Sequence, residues 1–150
     1  GSDMVALAAD EPYYELERWI NRACVELDVP FIAGGVNVLE GFAYMVVPGV
    51  TGCVACADRI YGERDPQGDA FVDANMAAKS KPPSAATAPN YMLLGGMIGG
   101  EIAKYLTGTS APVSMGRWIG ISFETYRCET LLDFTDQAAG CPVCGGGSAL

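Results

Sequence analysis

Four of the six cysteines stand in two C-x-x-C pairs, Cys53-Val-Ala-Cys56 and Cys141-Pro-Val-Cys144, the second followed by Gly145. Each pair can present two thiolates from one tight turn, and two such turns supply the tetrahedral four-sulfur set that suits zinc. The pairs are separated by 84 residues. A metal held this way pins distant segments of a fold together. Four protein thiolates leave no open coordination position, so the expected role is structural and not catalytic. Other uses of the same residues are two disulfides, one redox-active C-x-x-C, or a rubredoxin-like iron site. Disulfides need an oxidising compartment. No basic n-region precedes the amino-terminal apolar run, which Asp3 and Asp10 interrupt. The expected location is therefore cytoplasmic. Cys24 and Cys128 fall on a predicted helix face and in a predicted strand, where a free thiol is usually core.

The chain has no histidine, which excludes histidine bases, triads and metal ligands within it. Its 150 residues amount to about one domain. Half of them are apolar, enough to build a core. A net charge of −9 without a basic cluster argues against nucleic acid as a partner. The longest apolar stretch, Tyr91 to Gly100, spans ten residues. A bilayer span needs about 18 or more, so no membrane partner is expected.

Met4 to Ala9 is a short continuous apolar run that predicts a parallel strand covered on both faces. Leu16, Trp19, Ile20, Ala23, Cys24 and Leu27 then keep helical spacing along one face. Glu11, Glu15 and Glu17 near the helix start complement its dipole. Pro30 closes the helical stretch, and Phe31 to Ala33 predicts a second strand, broken by Gly34-Gly35. Together these make a β-α-β unit. Val38 to Val47 predicts further strand, and Pro48-Gly49 a turn. Residues 62–90 are polar and proline-rich and read as a long loop, with one helical turn around Phe71 to Ala78. Tyr91 to Leu106 is a second helix, capped by Gly108. Its pairs Gly95-Gly96 and Gly99-Gly100 weaken it, a cost that suggests close approach of another backbone. Trp118 to Ser122 and Tyr126 to Leu132 predict a closing pair of strands. The expected class is α/β: a partial Rossmann-like, mostly parallel sheet with late antiparallel strands and a structural zinc knuckle.

Asp10 stands at the carboxyl end of the first predicted strand, where open α/β sheets bind ligands. A carboxylate there can hold Mg²⁺ through nucleotide phosphates; it can equally cap the next helix. No G-x-G-x-x-G loop follows a strand, and there is no P-loop.

Taken in order, these residues resemble a known family. They are Ala9-Asp10 after the strand, Trp19-Ile-Asn-Arg-Ala-Cys24 on the helix, and Val29-Pro-Phe-Ile-Ala-Gly-Gly35. Pro48-Gly-Val-Thr-Gly-Cys53-Val-Ala-Cys56 and Cys141-Pro-Val-Cys-Gly145 complete the set. The chain resembles the carboxyl-terminal half of the ThiF/MoeB adenylyltransferases, relatives of ubiquitin-activating enzymes. Within the family it resembles the microcin-activating branch, which modifies a ribosomal peptide. The resemblance implies ATP-dependent adenylation of the carboxylate of a precursor peptide or small protein. It implies Mg²⁺ and ATP held with Asp10, structural zinc on Cys53, Cys56, Cys141 and Cys144, and a crossover loop over residues 62–90. It also implies a homodimer, or a complex with an amino-terminal half.

Two departures from the family shape the expectation. The family's glycine-rich nucleotide loop lies upstream of the strand at which this chain begins, so this chain alone is expected to be incomplete and inactive. No cysteine lies between Cys56 and Cys128, so adenylation without a thioester cysteine is expected. The alternative is a non-catalytic, zinc-stabilised module that binds or scaffolds a peptide.

Overall fold

The predicted β-α-β unit forms at the amino-terminal end of a five-stranded sheet whose strands lie side by side in chain order. The computed structural model of the chain describes residues 1–9, 11–12, 14–78 and 86–145, so Asp10 and Lys79 to Ser84 lie outside the described residues. β1 (Val5–Leu7) runs parallel to β2 (Phe31–Val36), and α1 (Glu15–Glu26) joins them. β2 does not break at its glycines. Gly34 and Gly35 pair with Ala43 and Phe42 of β3 (Glu40–Val46), and a side chain on Gly34 would strike the Phe42 carbonyl. Glycine here is the price of strand proximity, not a stop signal.

The class is α/β, as expected, but the sheet is mixed and not mostly parallel: of the four pairings between its described strands only the first, β1 with β2, is parallel. β3, β4 (Arg117–Ser122) and β5 (Cys128–Asp133) all join antiparallel, so antiparallel pairing begins at the third strand and not late in the chain. β1 is half-exposed at the sheet edge and not covered on both faces.

The core divides by the alternation of the strands. Phe31, Ala33, Tyr44 and Val46 face α1 and α2 (Val54–Arg64), together with Cys24, Val54, Ala57, Leu132 and Phe134. Ile32, Met45 and Ala43 face the other way, under Leu94, Ile98 and Ile102 of α4 (Ala88–Thr107). The tyrosine ring of Tyr44 sits edge-on to Phe31 and Phe134 and beside Trp118, an aromatic cluster at the centre of the α1–α2 side.

Three further expectations are corrected. The 62–90 segment is not a loop through its first half: α2 reaches Arg64 and α3 spans Pro66–Ala78. Asp65 accepts from the Gly68 backbone N–H at 3.0 Å, with Pro66 at the first helical position. That is an N-terminal helix signal stronger than the polar composition around it. Cys128 is exposed at the start of the edge strand β5, whereas Cys24 is buried. On α1, the predicted apolar face docks only in part: Cys24 is buried and Ile20 packs against the core, but Trp19 is 57% and Leu27 71% exposed, and the buried Asn21 lies off that face. The helix is turned to bring Glu17, Asn21 and Cys24 inward, at the same i, i+4, i+7 spacing.

α4 ends at Gly108 in the left-handed conformation, as the sequence predicts. Its four glycines meet nothing within 4 Å of where a Cβ would stand, so no backbone of this chain approaches them among the described residues. Inward, α4 is fixed by a buried acid. Glu101 is 2% exposed and accepts from the Ser114 N–H at 2.8 Å and the Ser114 hydroxyl at 2.7 Å. Lys104 lies at 2.6 Å from its other oxygen. Burial opposes ionisation of Glu101, but the bonds from Lys104 and Ser114 outweigh it and hold the carboxyl below its ordinary value.

A lowered carboxyl contributes stability that is present above the ordinary glutamate range and lost as pH falls through the folded value. Glu101→Ala leaves the buried Ser114 donors without their acceptor and is expected to cost about 3 kcal/mol in urea denaturation at neutral pH. The gap between wild type and variant narrows under acid. An equal gap at both pH values would contradict the assignment.

Candidate metal centre

Each cysteine pair is shaped by a glycine that tolerates no side chain. Gly52 precedes Cys53 and donates its N–H to the Phe134 carbonyl at 3.0 Å. A Cβ there would stand 2.5 Å from that oxygen. Gly145 follows Cys144, and a Cβ on it would strike the Cys141 amide and the Ala138 carbonyl. Both knuckles therefore close around backbone, the chemical reason for glycine in each.

Cys53 is the N-cap of α2 and Cys56 lies in its first turn. Backbone bonds run from the Cys56 and Ala57 N–H groups to the Cys53 carbonyl at 2.9 and 3.0 Å. The positive end of the helix dipole thus lies at two of the four thiols. The Val54 N–H at that end is satisfied by the carboxamide oxygen of Asn21, reaching from α1 at 3.0 Å. Asn21 is 2% exposed. It sets both the rotation of α1 and the start of α2. Its N-x-x-C spacing to Cys24 was legible in the sequence, but its partner across 33 residues was not.

The two pairs meet. Cys53 Sγ lies 3.7 Å from Cys141 Sγ, and Cys56 Sγ lies 3.4 Å from Cys144 Sγ. All four sulfurs lie within 4.8 Å of one another. Cys53, Cys56 and Cys141 are buried and Cys144 is half-buried. A tetrahedral zinc with sulfurs at about 2.3 Å spaces them about 3.8 Å apart, so the cluster has the size for one such ion. The Ala138 N–H approaches Cys56 Sγ at 3.4 Å and would support a bound thiolate.

The thiols' own chemistry points the same way. Burial opposes ionisation of Cys141, yet the Cys144 and Val143 amides and the neighbouring thiols pull it down to about 6. Burial and the sulfurs of Cys56 and Cys53 push Cys144 well above the ordinary thiol value, and Cys53 is also raised, first by burial. One thiol gives up its proton at the expense of the others. Four sulfurs this close cannot all ionise without a cation among them. The four-cysteine cluster is consistent with a zinc site.

Comparison with known proteins adds an independent observation. The ThiF family model matches residues 1–143. The chain belongs to the ThiF family. A comparison with curated sequences found no match. Among solved structures, the chain is similar to MccB of E. coli bound to MccA-N7isoASN, with 26% identity and a TM-score of 0.73 over 96% of this chain and 41% of that one. It is similar to the microcin C7 biosynthetic enzyme MccB in complex with N-formylated MccA, with 25% identity and a TM-score of 0.74 over 95% and 41%. MccB of E. coli with ATP shares the fold at 24% identity and a TM-score of 0.72, over 95% and 39%. This chain therefore spans about two fifths of the length of the MccB chains it matches. Among the described residues no helix is long and apolar enough to cross a membrane.

The purified protein is expected to carry one zinc per chain by elemental analysis. Cys141→Ala is expected to abolish stoichiometric zinc and lower the melting temperature by about 10 °C or more. Unchanged zinc content and melting would remove the four-cysteine site.

Proposed function

We propose that this chain is the zinc-bearing, carboxyl-terminal part of an adenylyltransferase that activates the carboxylate of a peptide or small protein. The match of the ThiF family over residues 1–143 carries the reading. The likeness to MccB bound to forms of MccA, at 25–26% identity, supports a peptide as substrate. A peptide carboxylate oxygen attacks the α-phosphorus of ATP, the bond to the β-phosphate oxygen breaks, and pyrophosphate leaves. Asp10 would hold the Mg²⁺ that neutralises the phosphates. Cys53, Cys56, Cys141 and Cys144 would hold zinc as a structural clamp with no open position for chemistry.

The rest of the reading concerns the whole protein. Residues 62–90 act as the crossover segment beside the peptide, with α3 forming its first half. The nucleotide's glycine-rich loop comes from an upstream half in the same or a separate chain. The working unit is a homodimer or such a complex, and it acts in the cytoplasm. Activation proceeds without a thioester cysteine. The product class is a peptidyl adenylate, made in the modification of a ribosomal peptide.

The test is pyrophosphate release from ATP-Mg and a precursor peptide by the complete protein. Asp10→Ala is expected to lower the rate at least about 100-fold while leaving zinc content unchanged. Peptide binding that ignores both ATP and Asp10→Ala, with no pyrophosphate formed, would instead establish a non-catalytic peptide-binding module.

A further inference from the structure

In the metal centre each thiol of the first C-x-x-C motif finds a partner thiol in the second. Cys56 Sγ lies 3.4 Å from Cys144 Sγ, and Cys53 Sγ lies 3.7 Å from Cys141 Sγ. Each contact spans 88 residues of chain. The closer pair also contains the thiol that solvent reaches most readily. Cys144 is half-buried, whereas Cys53, Cys56 and Cys141 are buried. A cavity of about 670 Å³ lies against both motifs, with Ala55 of the first and Pro142 and Val143 of the second on its wall. A small solute can approach the centre from this side.

Of the four thiolates, that of Cys144 is the first nucleophile a small oxidant meets. Cys56 stands beside it as the second sulfur, with the Ala138 N–H 3.4 Å from its Sγ. Joining this pair needs the sulfurs to close by only about 1.4 Å, to the length of an S–S bond. Loss of two thiolates leaves the ion with Cys53 and Cys141. The chain has no histidine, and among the described residues the group able to hold an ion consists of these four thiols alone. Two sulfurs do not retain a structural zinc that needs four protein ligands.

We propose that Cys144 and Cys56 form a redox-sensitive pair: hydrogen peroxide joins them as a disulfide across the two motifs, zinc leaves, and a covalent link keeps the clamp closed. The Cys144 thiolate attacks one peroxide oxygen. An S–O bond forms, the O–O bond breaks, and the departing hydroxide takes up a proton to become water. The Cys56 thiolate then attacks the sulfenic sulfur of Cys144. An S–S bond forms, the S–O bond breaks, and the second hydroxide leaves as water. The two sulfurs lose two electrons, the peroxide gains them, and two protons are consumed. A disulfide inside one motif would cut α2 from the loop after β5, whereas this one leaves them joined. The inference rests on the four-thiol zinc centre and not on adenylation.

The experiment titrates the complete, zinc-loaded protein with hydrogen peroxide, in wild type and in Cys128→Ser, which lacks the exposed thiol outside the centre. A chromogenic chelator reads the zinc released, and peptide mapping without reductant reads the disulfides. In both proteins the expected result is loss of the zinc in step with one Cys56–Cys144 disulfide per chain. A dithiol reductant with added zinc is expected to restore the starting metal content. Zinc still bound after Cys128 of wild type has been oxidised would overturn the pair. So would a first disulfide inside either motif, or oxidation of Cys144 beyond the sulfenic acid with no disulfide formed. Zinc measured before peroxide is added tests the centre by itself, and a zinc-free starting protein removes the centre and this inference together. None of these readouts uses ATP or peptide, so the adenylation reading stands or falls separately.

Discussion

Four sulfurs within 4.8 Å of one another join the first turn of α2 to the loop that follows β5. The other long-range features of the α1–α2 side are arranged around this junction. Gly52 hands its N–H to Phe134 beside it, and Phe134 is part of the aromatic core with Tyr44. Asn21 caps α2 at the residue after Cys53, which in turn fixes how α1 lies on the sheet. Without a cation the sulfurs oppose one another's ionisation, as the divergent Cys141 and Cys144 thiols show. With one, the same crowding becomes a clamp closed across 84 residues of chain.

Much of this was legible in the residues. The C-x-x-C pairs declared themselves by spacing and, at the second, by the following Gly145. The strand–helix–strand opening followed from an apolar run, a helical period and Pro30. Gly108 marked the end of α4 correctly. These signals are local, and local chemistry decides them.

What escaped the sequence depends on partners far along the chain. The docked face of α1 carries polar residues beside Ile20, Cys24 and Val25, because Asn21 finds the Val54 amide and Glu17 finds Tyr44. A pattern of apolar residues alone finds Ile20 and Cys24 but adds Trp19 and Leu27, and both of these are exposed. Gly34-Gly35 looks like a break until Phe42 is placed beside it. α3 is different: Asp65-Pro66 announced it locally, but the surrounding polar composition masked the cap. The direction of β3 could not be read from its residues, since a strand covered on both faces carries the same apolar run in either orientation.

The fold thus combines a short parallel unit, an antiparallel extension, and a thiol clamp that secures α2 against the end of the sheet. Family membership gives this arrangement its functional frame, and the clamp gives it its mechanical one. The most direct test of the clamp is X-ray absorption at the zinc edge of the purified protein. The account predicts a shell of four sulfurs at about 2.3 Å with no oxygen or nitrogen ligand. A shell with mixed light ligands, or a metal-free protein whose four cysteines are paired as disulfides, would contradict it.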